Sequence, residues 1–262
     1  MNILVCIKQV PDVEAIKKNP ETNEMILDGV PDILNPYDGY ALEAAARLKD
    51  KNPETKIVVL TVGPEKARAA LKDCLGIAAD KAYLVQTDKL AGADTLAAAH
   101  VLAAAIKKVE ESEGKFDAIF CGKQSSDWES AQVGPELAEF LGYPQITSGL
   151  ECEMDADGLK VSQQAENGKC LVRIGLPCLI TFTQPGYDPR FPTIKRKMAA
   201  NKAAIPVLSE ADLGLDAIAG SAISVKNTFA PAKRSGGFII AEESMEENAA
   251  KLASLLGEAH VI

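Results

Sequence analysis

Short apolar runs alternate with longer amphipathic stretches in the first half of the chain. Strands with both faces covered are predicted at Ile3–Ile7, Ile57–Val62, Ala82–Val85 and Ala118–Cys121. Helices are predicted between them, at Tyr37–Lys51, Glu65–Leu75 and Ala91–Glu113. This alternation predicts an α/β fold with an open, mostly parallel twisted sheet and helices on both faces. Ligands of such sheets bind outside the carboxyl ends of the strands, so the segments that follow the strands are candidates for a site.

The pattern changes after Gly149. Short alternating segments at Leu150–Met154, Leu159–Ala165 and Cys170–Ile174 are separated by turn sequences. They predict a hairpin insertion over about residues 149–175. The apolar run Cys178–Phe182 is predicted to rejoin the main sheet, which assigns residues 1–183 to one α/β domain.

Periodicity weakens beyond residue 183. Residues 184–237 are irregular and contain many prolines, and a helical pattern returns only at Glu242–Leu256. A long irregular arm of this kind is rarely stable alone. Residues 184–262 are therefore predicted to wrap a partner subunit.

Composition narrows the classes of function. The chain has 262 residues, of which 47% are hydrophobic and 25% charged, as expected for a folded protein with a sizeable core. Its formal net charge of −9 disfavours binding to nucleic acid or to anionic membranes. No secretory leader or apolar run of membrane-spanning length is evident, so a cytoplasmic location is expected.

Several familiar kinds of site are missing from the sequence. The six cysteines include no CxxC pair, and the two histidines lie near neither a cysteine nor a carboxylate cluster, so no metal site is assigned. There is no GxGxxG after the first strand, no P-loop, no GxSxG and no HExxH. No catalytic residue is assigned either.

The richest polar segment is Gly122–Glu136, which reads GKQSSDWESAQVGPE and leads from a buried strand into a helix beginning near Gln132. Hydroxyl, amide and backbone donors at a helix N-terminus can hold a phosphate without a large positive charge. The same composition fits an ordinary helix cap equally well, with Ser125, Ser126 or Asp127 satisfying free amides.

Two further polar turns precede predicted helices. Asn35–Asp38 (NPYD) could stack an adenine on Tyr37, although a plain Asn-Pro turn explains it better when it is judged alone. In Gly92–Thr95 (GADT), Asp94 or Thr95 could bind ribose or ribityl hydroxyls, and a simple N-cap explains the segment at least as well.

The segment Arg190–Lys202 is the only basic cluster in this acidic chain. It surrounds the apolar side chains of Ile194 and Met198 with charge, a frequent layout at docking surfaces. A solvated loop is the usual explanation for such a charge run.

Taken together, five segments resemble the β subunit of electron transfer flavoproteins. They are MNILVCIKQVPD, the NPYD turn, VGP after the second strand, GKQSSDWESAQVGPE and PRFPTIKRKM. The resemblance runs from Met1 to the C-terminal helix in the same order and spacing. It implies a Rossmann-like, adenine-nucleotide-binding domain related to universal-stress proteins, followed by a recognition loop and an arm that contacts an α subunit.

The resemblance also implies which residues hold the nucleotide. These are Cys6, Asn35, Pro36, Tyr37, Asp38, Val62, Gly122, Lys123, Gln124, Ser125, Asp127, Ser130, Ala131, Gln132, Val133 and Gly134, with Asp94 and Thr95 as additional candidates. Ile194, with Arg190 and Lys195, is implied to dock an acyl-CoA dehydrogenase. Trp128 and Glu129 depart from the small residue and the aspartate that are common in the family, and Ser130 replaces a usual threonine.

Two kinds of function remain open within this family. GADT and NPYDxYALE are typical of bifurcating members, which carry FAD in the β subunit and oxidise NADH. Electrons would then pass to ferredoxin or flavodoxin and, through the α-subunit FAD, to an acyl-CoA dehydrogenase or reductase. The alternatives are a housekeeping carrier with structural AMP and, outside the family, a universal-stress-type nucleotide sensor. Any catalysis would belong to the assembled NADH-dependent complex.

Overall fold

The computed structural model describes residues 1–19, 21–22, 24–87, 92–214, 221–227 and 236–262. Its strands are β1 (Asn2–Cys6), β2 (Gln9–Pro11), β3 (Lys17–Lys18), β4 (Met25–Ile26), β5 (Asp32–Leu34), β6 (Lys56–Gly63), β7 (Lys81–Gln86), β8 (Ala118–Gly122), β9 (Gln145–Asp155), β10 (Gly158–Ala165), β11 (Gly168–Gly175), β12 (Cys178–Phe182) and β13 (Val207–Leu208). Its helices are α1 (Pro36–Lys51), α2 (Arg68–Ile77), α3 (Thr95–Glu113), α4 (Val133–Leu141), α5 (Ile194–Lys202) and α6 (Met245–Glu258).

Nine of these strands form one twisted sheet, in the order β11-β10-β9-β12-β8-β1-β6-β7-β13. The pairs from β9 through β12, β8, β1, β6 and β7 to β13 are all parallel. The β9–β10 and β10–β11 pairs of this sheet are antiparallel, as are the two small separate pairs β2–β5 and β3–β4. The predicted open, mostly parallel sheet is therefore confirmed, and so are the hairpins between Leu150 and Ile174.

Helices cover both faces of the sheet because successive side chains of a strand point to opposite sides. On one face, Ile3 and Val5 of β1 belong to a buried cluster with α1 and α2. On the other face, Leu4 and Cys6 pack with α3 and α4. Full burial of one such aliphatic side chain contributes roughly 1.5–3 kcal/mol, so both layers hold β1 firmly at the centre of the sheet.

Most predicted elements agree with the structure to within a few residues. The third helix begins at Thr95, and Ala91, its predicted start, lies outside the described residues. The last helix covers Met245–Glu258 where Glu242–Leu256 was predicted.

The prediction that residues 184–237 are irregular was wrong for two parts of this segment. Ile194–Lys202 forms α5, which is capped by Thr193 and packs on α2. Val207–Leu208 forms β13 and adds a parallel strand to the sheet beside β7. Parts of the same segment, 215–220 and 228–235, lie outside the described residues. The division of the chain at residue 183 stays a prediction.

Candidate functional site

The connection order of the sheet reverses beside β1. From β1 the chain crosses to β6 and β7 on one side, and it then returns to place β8 on the other side of β1. Ligands of open α/β sheets bind in the crevice outside the carboxyl ends of strands at such a reversal. Three predicted segments meet there: the end of β1, the Asn35–Asp38 turn, and the loop between Gly122 and Gln132, which we term the site loop.

Asp38 joins the ends of the two central strands. Its Oδ2 accepts a hydrogen bond from the Lys8 amide at 2.7 Å, and its Oδ1 accepts one from the Gly122 amide at 3.1 Å. Burial raises the pKa of the Asp38 carboxyl to about 7, and hydrogen bonds from Asn35 and from these two amides offset the burial only in part. The carboxyl therefore changes its charge near neutral pH.

Asn35 holds the site loop in place. Its buried side chain donates from Nδ2 to the Gln124 carbonyl at 2.9 Å and accepts at Oδ1 from the Ser126 amide at 3.1 Å. Asn35 occupies the N-cap position of α1, as a plain Asn-Pro turn before a helix predicts, but its side chain makes no hydrogen bond that caps the helix. Pro36 and Tyr37 begin α1, and the Tyr37 hydroxyl lies 3.4 Å from Nε2 of Gln124.

Lys8, the second residue after β1, also reaches the site loop. Its Nζ lies 2.9 Å and 2.8 Å from the two carboxylate oxygens of Asp127, and 3.4 Å from Oγ of Ser125. Lys8 was not among the residues predicted to form the site. Its position at the carboxyl end of the first strand was the available signal.

The site loop has a strained backbone before α4. Glu129 and Ala131 have φ angles of 53° and 56°, although neither is a glycine. The left-handed conformation costs about 1–2 kcal/mol for an ordinary residue, and such strain clusters at ligand clamps and active sites. Trp128 and Ser130 are exposed beside these residues.

The first turn of α4 packs closely against β12. A Cβ atom on Gly134 would collide with Cγ2 of Thr181, so the helix start could not lie this close with a larger residue. Gln132 is the N-cap residue, and α4 itself begins at Val133, as the sequence predicted to within one residue.

The GADT segment meets the start of α4. The Thr95 hydroxyl lies 3.2 Å from Oε1 of Gln132 and 3.0 Å from Oε1 of Glu136. Asp94 caps α3 by accepting from the Ala97 amide at 2.9 Å, which confirms the capping interpretation of this residue. The other oxygen of Asp94 accepts from two amides at residues 222 and 223, so its carboxylate is fully engaged.

The remaining predicted residues surround these contacts. Cys6 is buried at the end of β1, and its hydrogen bond with Cys121, together with burial, raises the pKa of the Cys121 thiol. A buried thiol whose pKa is raised, such as that of Cys121, is unreactive. Val62 lies half-buried near the end of β6, and the Lys123 amide donates to the Phe182 carbonyl at 2.7 Å.

Two buried polar atoms near the site loop have no hydrogen-bond partner among the described residues. They are Oγ of Ser126 and Oε2 of Glu136. A buried polar atom without a partner costs about 1–3 kcal/mol, and a ligand with hydroxyl or phosphate groups would remove that cost. The donors of the loop, the start of α4 and these two atoms therefore fit a nucleotide.

The residues implied in docking lie apart from this crevice. Ile194, the first residue of α5, is 82% exposed, and Lys195 beside it is also exposed. Arg190 instead turns inward, with Nε 2.8 Å from Oε2 of Glu43 and an ion pair of 2.6 Å to Asp50. The structure thus shows Arg190 anchoring the segment that carries Ile194.

No group of three metal-binding side chains occurs in the part of the chain that the structure describes. No helix among the same residues has the length and apolar character needed to cross a membrane.

The fold and the crevice define a doubly wound α/β protein with a ligand site at the switch point of its sheet. The family model described as "Electron transfer flavoprotein domain" matches residues 23–213. The chain therefore belongs to the electron transfer flavoprotein family, whose function is electron transfer, and its similarity over most of its length to a β subunit places it in the β-subunit branch.

Several known proteins are similar to this chain over most or all of its length. An electron transfer flavoprotein subunit beta of Megasphaera elsdenii is 43% identical and aligns with 95% of this chain and 94% of its own. The CarD subunit of the caffeyl-CoA reductase–Etf complex of Acetobacterium woodii is 40% identical over all of both chains. Protein FixA of Azorhizobium caulinodans is 39% identical over 89% of this chain and 86% of its own.

Proposed function

We propose that the crevice at the ends of β1 and β8 binds the adenine nucleotide part of FAD, with AMP as the alternative occupant. The observation that carries this proposal is the attachment of the site loop by Asn35, which donates to Gln124 and accepts from Ser126. These hydrogen bonds hold an uncharged row of donors in one place before a ligand arrives. Preorganised donors of this kind bind an anion without the cost of ordering the loop.

Each part of the site has a distinct task in this proposal. The loop amides and the start of α4 at Val133 and Gly134 hold phosphate oxygens. Ser126 and Glu136 offer their unpartnered oxygen atoms to phosphate and ribose hydroxyl groups, respectively. Tyr37, half-buried beside Gln124, can contact an adenine ring.

The electron-transfer function is proposed in its bifurcating form. FAD held by the site loop and the start of α4 would supply the chemistry of this form, which is hydride acceptance from NADH followed by transfer of one electron to ferredoxin or flavodoxin and one to the α-subunit FAD, which serves an acyl-CoA dehydrogenase or reductase. The GADT and NPYDxYALE segments support this form, as does similarity along the whole chain to a subunit of a caffeyl-CoA reductase–Etf complex. The protein residues would orient the flavin and exclude water around it.

Cofactor content distinguishes the alternatives. The chain is to be co-expressed with its α subunit, and FAD and AMP are to be extracted from the purified heterodimer and quantified. Two FAD per heterodimer support the proposal, and one FAD with one AMP supports the housekeeping carrier. A preparation without flavin would contradict both and favour a nucleotide sensor.

Paired variants connect the cofactor to the crevice. Asp127→Ala should lower the nucleotide content of the β site, because it removes the carboxylate that fixes Lys8 against the loop. Glu153→Ala is the matched control, since Glu153 forms an ion pair of 2.8 Å with Lys51 in an exposed position outside the crevice. Equal nucleotide content in both variants would count against the assignment of the site.

A further inference from the structure

Lys8 connects three segments that are distant in the sequence. Its backbone amide donates to Asp38 at 2.7 Å, and its carbonyl accepts from the Asn35 amide at 2.9 Å. Its ammonium group contacts Asp127 and Ser125 of the site loop. The backbone of Lys8 is thus fixed by the Asn35–Asp38 turn, and its side chain is directed at the loop.

The ion pair between Lys8 and Asp127 is partly shielded from water. The Lys8 side chain is 44% exposed and that of Asp127 only 19%, and both oxygens of Asp127 lie within hydrogen-bond distance of Nζ. Exposed pairs contribute little because water screens them and both side chains lose freedom. Here the backbone of Lys8 is already held, so less freedom is lost when the pair forms.

Among the described residues, Asp127 is also the last side chain of the loop before Gln132 that is bonded to another segment. The side chains of Trp128, Glu129 and Ser130 make no hydrogen bond to other described residues, and the Trp128 and Glu129 amides donate to the Ser125 carbonyl within the loop itself. The next side-chain contact is the one between Gln132 and Thr95. The strained conformations of Glu129 and Ala131 lie between these two attachments, so the strain must be maintained from its ends.

We propose that the Lys8–Asp127 ion pair is a latch that holds the site loop closed over the bound nucleotide and slows its release. Lys8 is a positioning residue in this account, because it acts through the loop. The proposal rests on the proposed nucleotide site and adds a residue and a kinetic role to it. When the ion pair breaks, the segment from Asp127 to Ala131 is free to move, and the strained backbone conformations of Glu129 and Ala131 can relax.

The test uses the full heterodimer and two measurements. The first is the rate at which bound nucleotide is displaced by excess FAD, in the unmodified protein and in Lys8→Met, Lys8→Arg, Asp127→Asn and the double variant Lys8→Met/Asp127→Asn. The second is backbone hydrogen exchange of residues 125–131 in the same proteins. Lys51→Met is the matched control, because it removes an ion pair of the same 2.8 Å length outside the crevice.

The latch predicts a specific pattern. Lys8→Met and Asp127→Asn should each speed release about fivefold, the upper end of what an exposed ion pair contributes. The double variant should be no faster than either single one, because the pair is already broken. Lys8→Arg should retain slow release. Residues 125–131 should exchange faster in the Met and Asn variants and at the normal rate in Lys51→Met.

The failure of the latch can be told from failure of the proposed site. If the unmodified heterodimer holds nucleotide but Lys8→Met releases it and exchanges hydrogen at the normal rates, the latch is refuted and the site stands. If the unmodified heterodimer holds no nucleotide at the β site, the proposed function is refuted, and faster exchange in Lys8→Met would still establish the loop attachment. Additive effects in the double variant would also refute the latch.

Discussion

Gly122 and Asp38 approach each other so closely that no side chain fits between the end of β8 and the start of α1. A Cβ atom on Gly122 would collide with Oδ1 of Asp38 and lie 2.8 Å from Cβ of Tyr37. The same two residues share the hydrogen bond that closes the base of the crevice. The backbone of Gly122 and the carboxylate of Asp38 therefore hold each other in position.

Gly122→Ala should disrupt the crevice. The added methyl group must displace Asp38 or separate β8 from α1, at a cost of about 1–3 kcal/mol. The expected results are a lower melting temperature and a loss of nucleotide from the heterodimer, measured by calorimetry and by cofactor extraction. Gly175→Ala is the control, because a Cβ there meets no atom within 4 Å. Normal nucleotide content in Gly122→Ala would show that this contact does not shape the site.

Asn35→Ala should release the site loop. It leaves the Gln124 carbonyl and the Ser126 amide without their partner, which costs about 2 kcal/mol if the atoms stay buried. We expect weaker nucleotide binding and faster tryptic cleavage after Lys123, two readouts of an opened loop. Asn35→Asp retains an acceptor for Ser126 but loses the donor to Gln124, so its effect should be intermediate. Equal nucleotide binding and equal cleavage rates in the unmodified protein, Asn35→Ala and Asn35→Asp would contradict the role of Asn35 in holding the site loop.

The pKa of Asp38 predicts a pH dependence of stability. Because the pKa is raised from 3.8 to about 7, the unfolded chain loses its proton first as the pH rises. The stability from the protonated carboxyl is complete below about pH 4 and is lost as the pH approaches 7. The difference in unfolding free energy between the unmodified protein and Asp38→Asn should therefore decline over this interval.

Chemical denaturation at a series of pH values measures this difference. Asp157→Asn serves as the control, because Asp157 is an exposed carboxylate in the β9–β10 turn. Its stability should follow that of the unmodified protein at every pH. If the unfolding free energies of Asp38→Asn and the unmodified protein differ by the same amount at every pH, Asp38 does not titrate near neutral pH.

Glu113 predicts the opposite pH dependence at the amino ends of the strands. Burial disfavours its charge, but hydrogen bonds from Lys56, Lys81 and Tyr83 outweigh burial and lower its pKa to about 2. Its contribution is present above the ordinary pKa of 4.5 and is lost as the pH falls toward 2. Glu113→Gln should cost about 1–3 kcal/mol at pH 7.

The difference in unfolding free energy between Glu113→Gln and the unmodified protein should be smaller at pH 3.5 than at pH 7. Glu153→Gln, which alters an exposed ion pair, should cost far less at either pH. If this difference is the same at both pH values, the charge of the Glu113 carboxylate does not stabilise the fold.

If the acyl-CoA dehydrogenase proposed as a partner docks on α5, Ile194→Ala should weaken that docking. Truncation of an exposed apolar side chain at the centre of an interface costs about 1–2 kcal/mol, roughly a tenfold loss of affinity. Titration calorimetry with the dehydrogenase measures this loss, and NADH-dependent flavin reduction should stay normal. Ile239→Ala removes a similarly exposed side chain outside α5 and provides the control. Unchanged affinity in Ile194→Ala would remove Ile194 from the docking surface.

The sequence predicted the sheet because its strands are short, apolar and separated by amphipathic helices. The hairpins could also be predicted, since the segments Asp155–Gly158 and Asn167–Gly168 mark their turns. The helix α5 was missed because its apolar positions do not form a sufficiently regular stripe among basic residues. Only Thr193, which caps it by accepting from the Arg196 amide, marked its start.

Contacts between distant parts of the chain were beyond the reach of sequence patterns. Lys8 and Asp127 are 119 positions apart, and nothing in either segment indicates that they pair. Arg190 was grouped with the docking residues because it lies in a basic cluster, yet its guanidinium binds Glu43 and Asp50 of α1. Such pairings depend on how helices and loops meet across the sheet.

In the proposed site, the site loop and the start of α4 hold the phosphate of an adenine nucleotide. A crystal structure of the complete complex with its α subunit would show whether they do. We expect electron density for FAD or AMP with phosphate oxygens within hydrogen-bond distance of amides between Gly122 and Gly134. Density for solvent alone in this crevice, in a complex that transfers electrons, would contradict it.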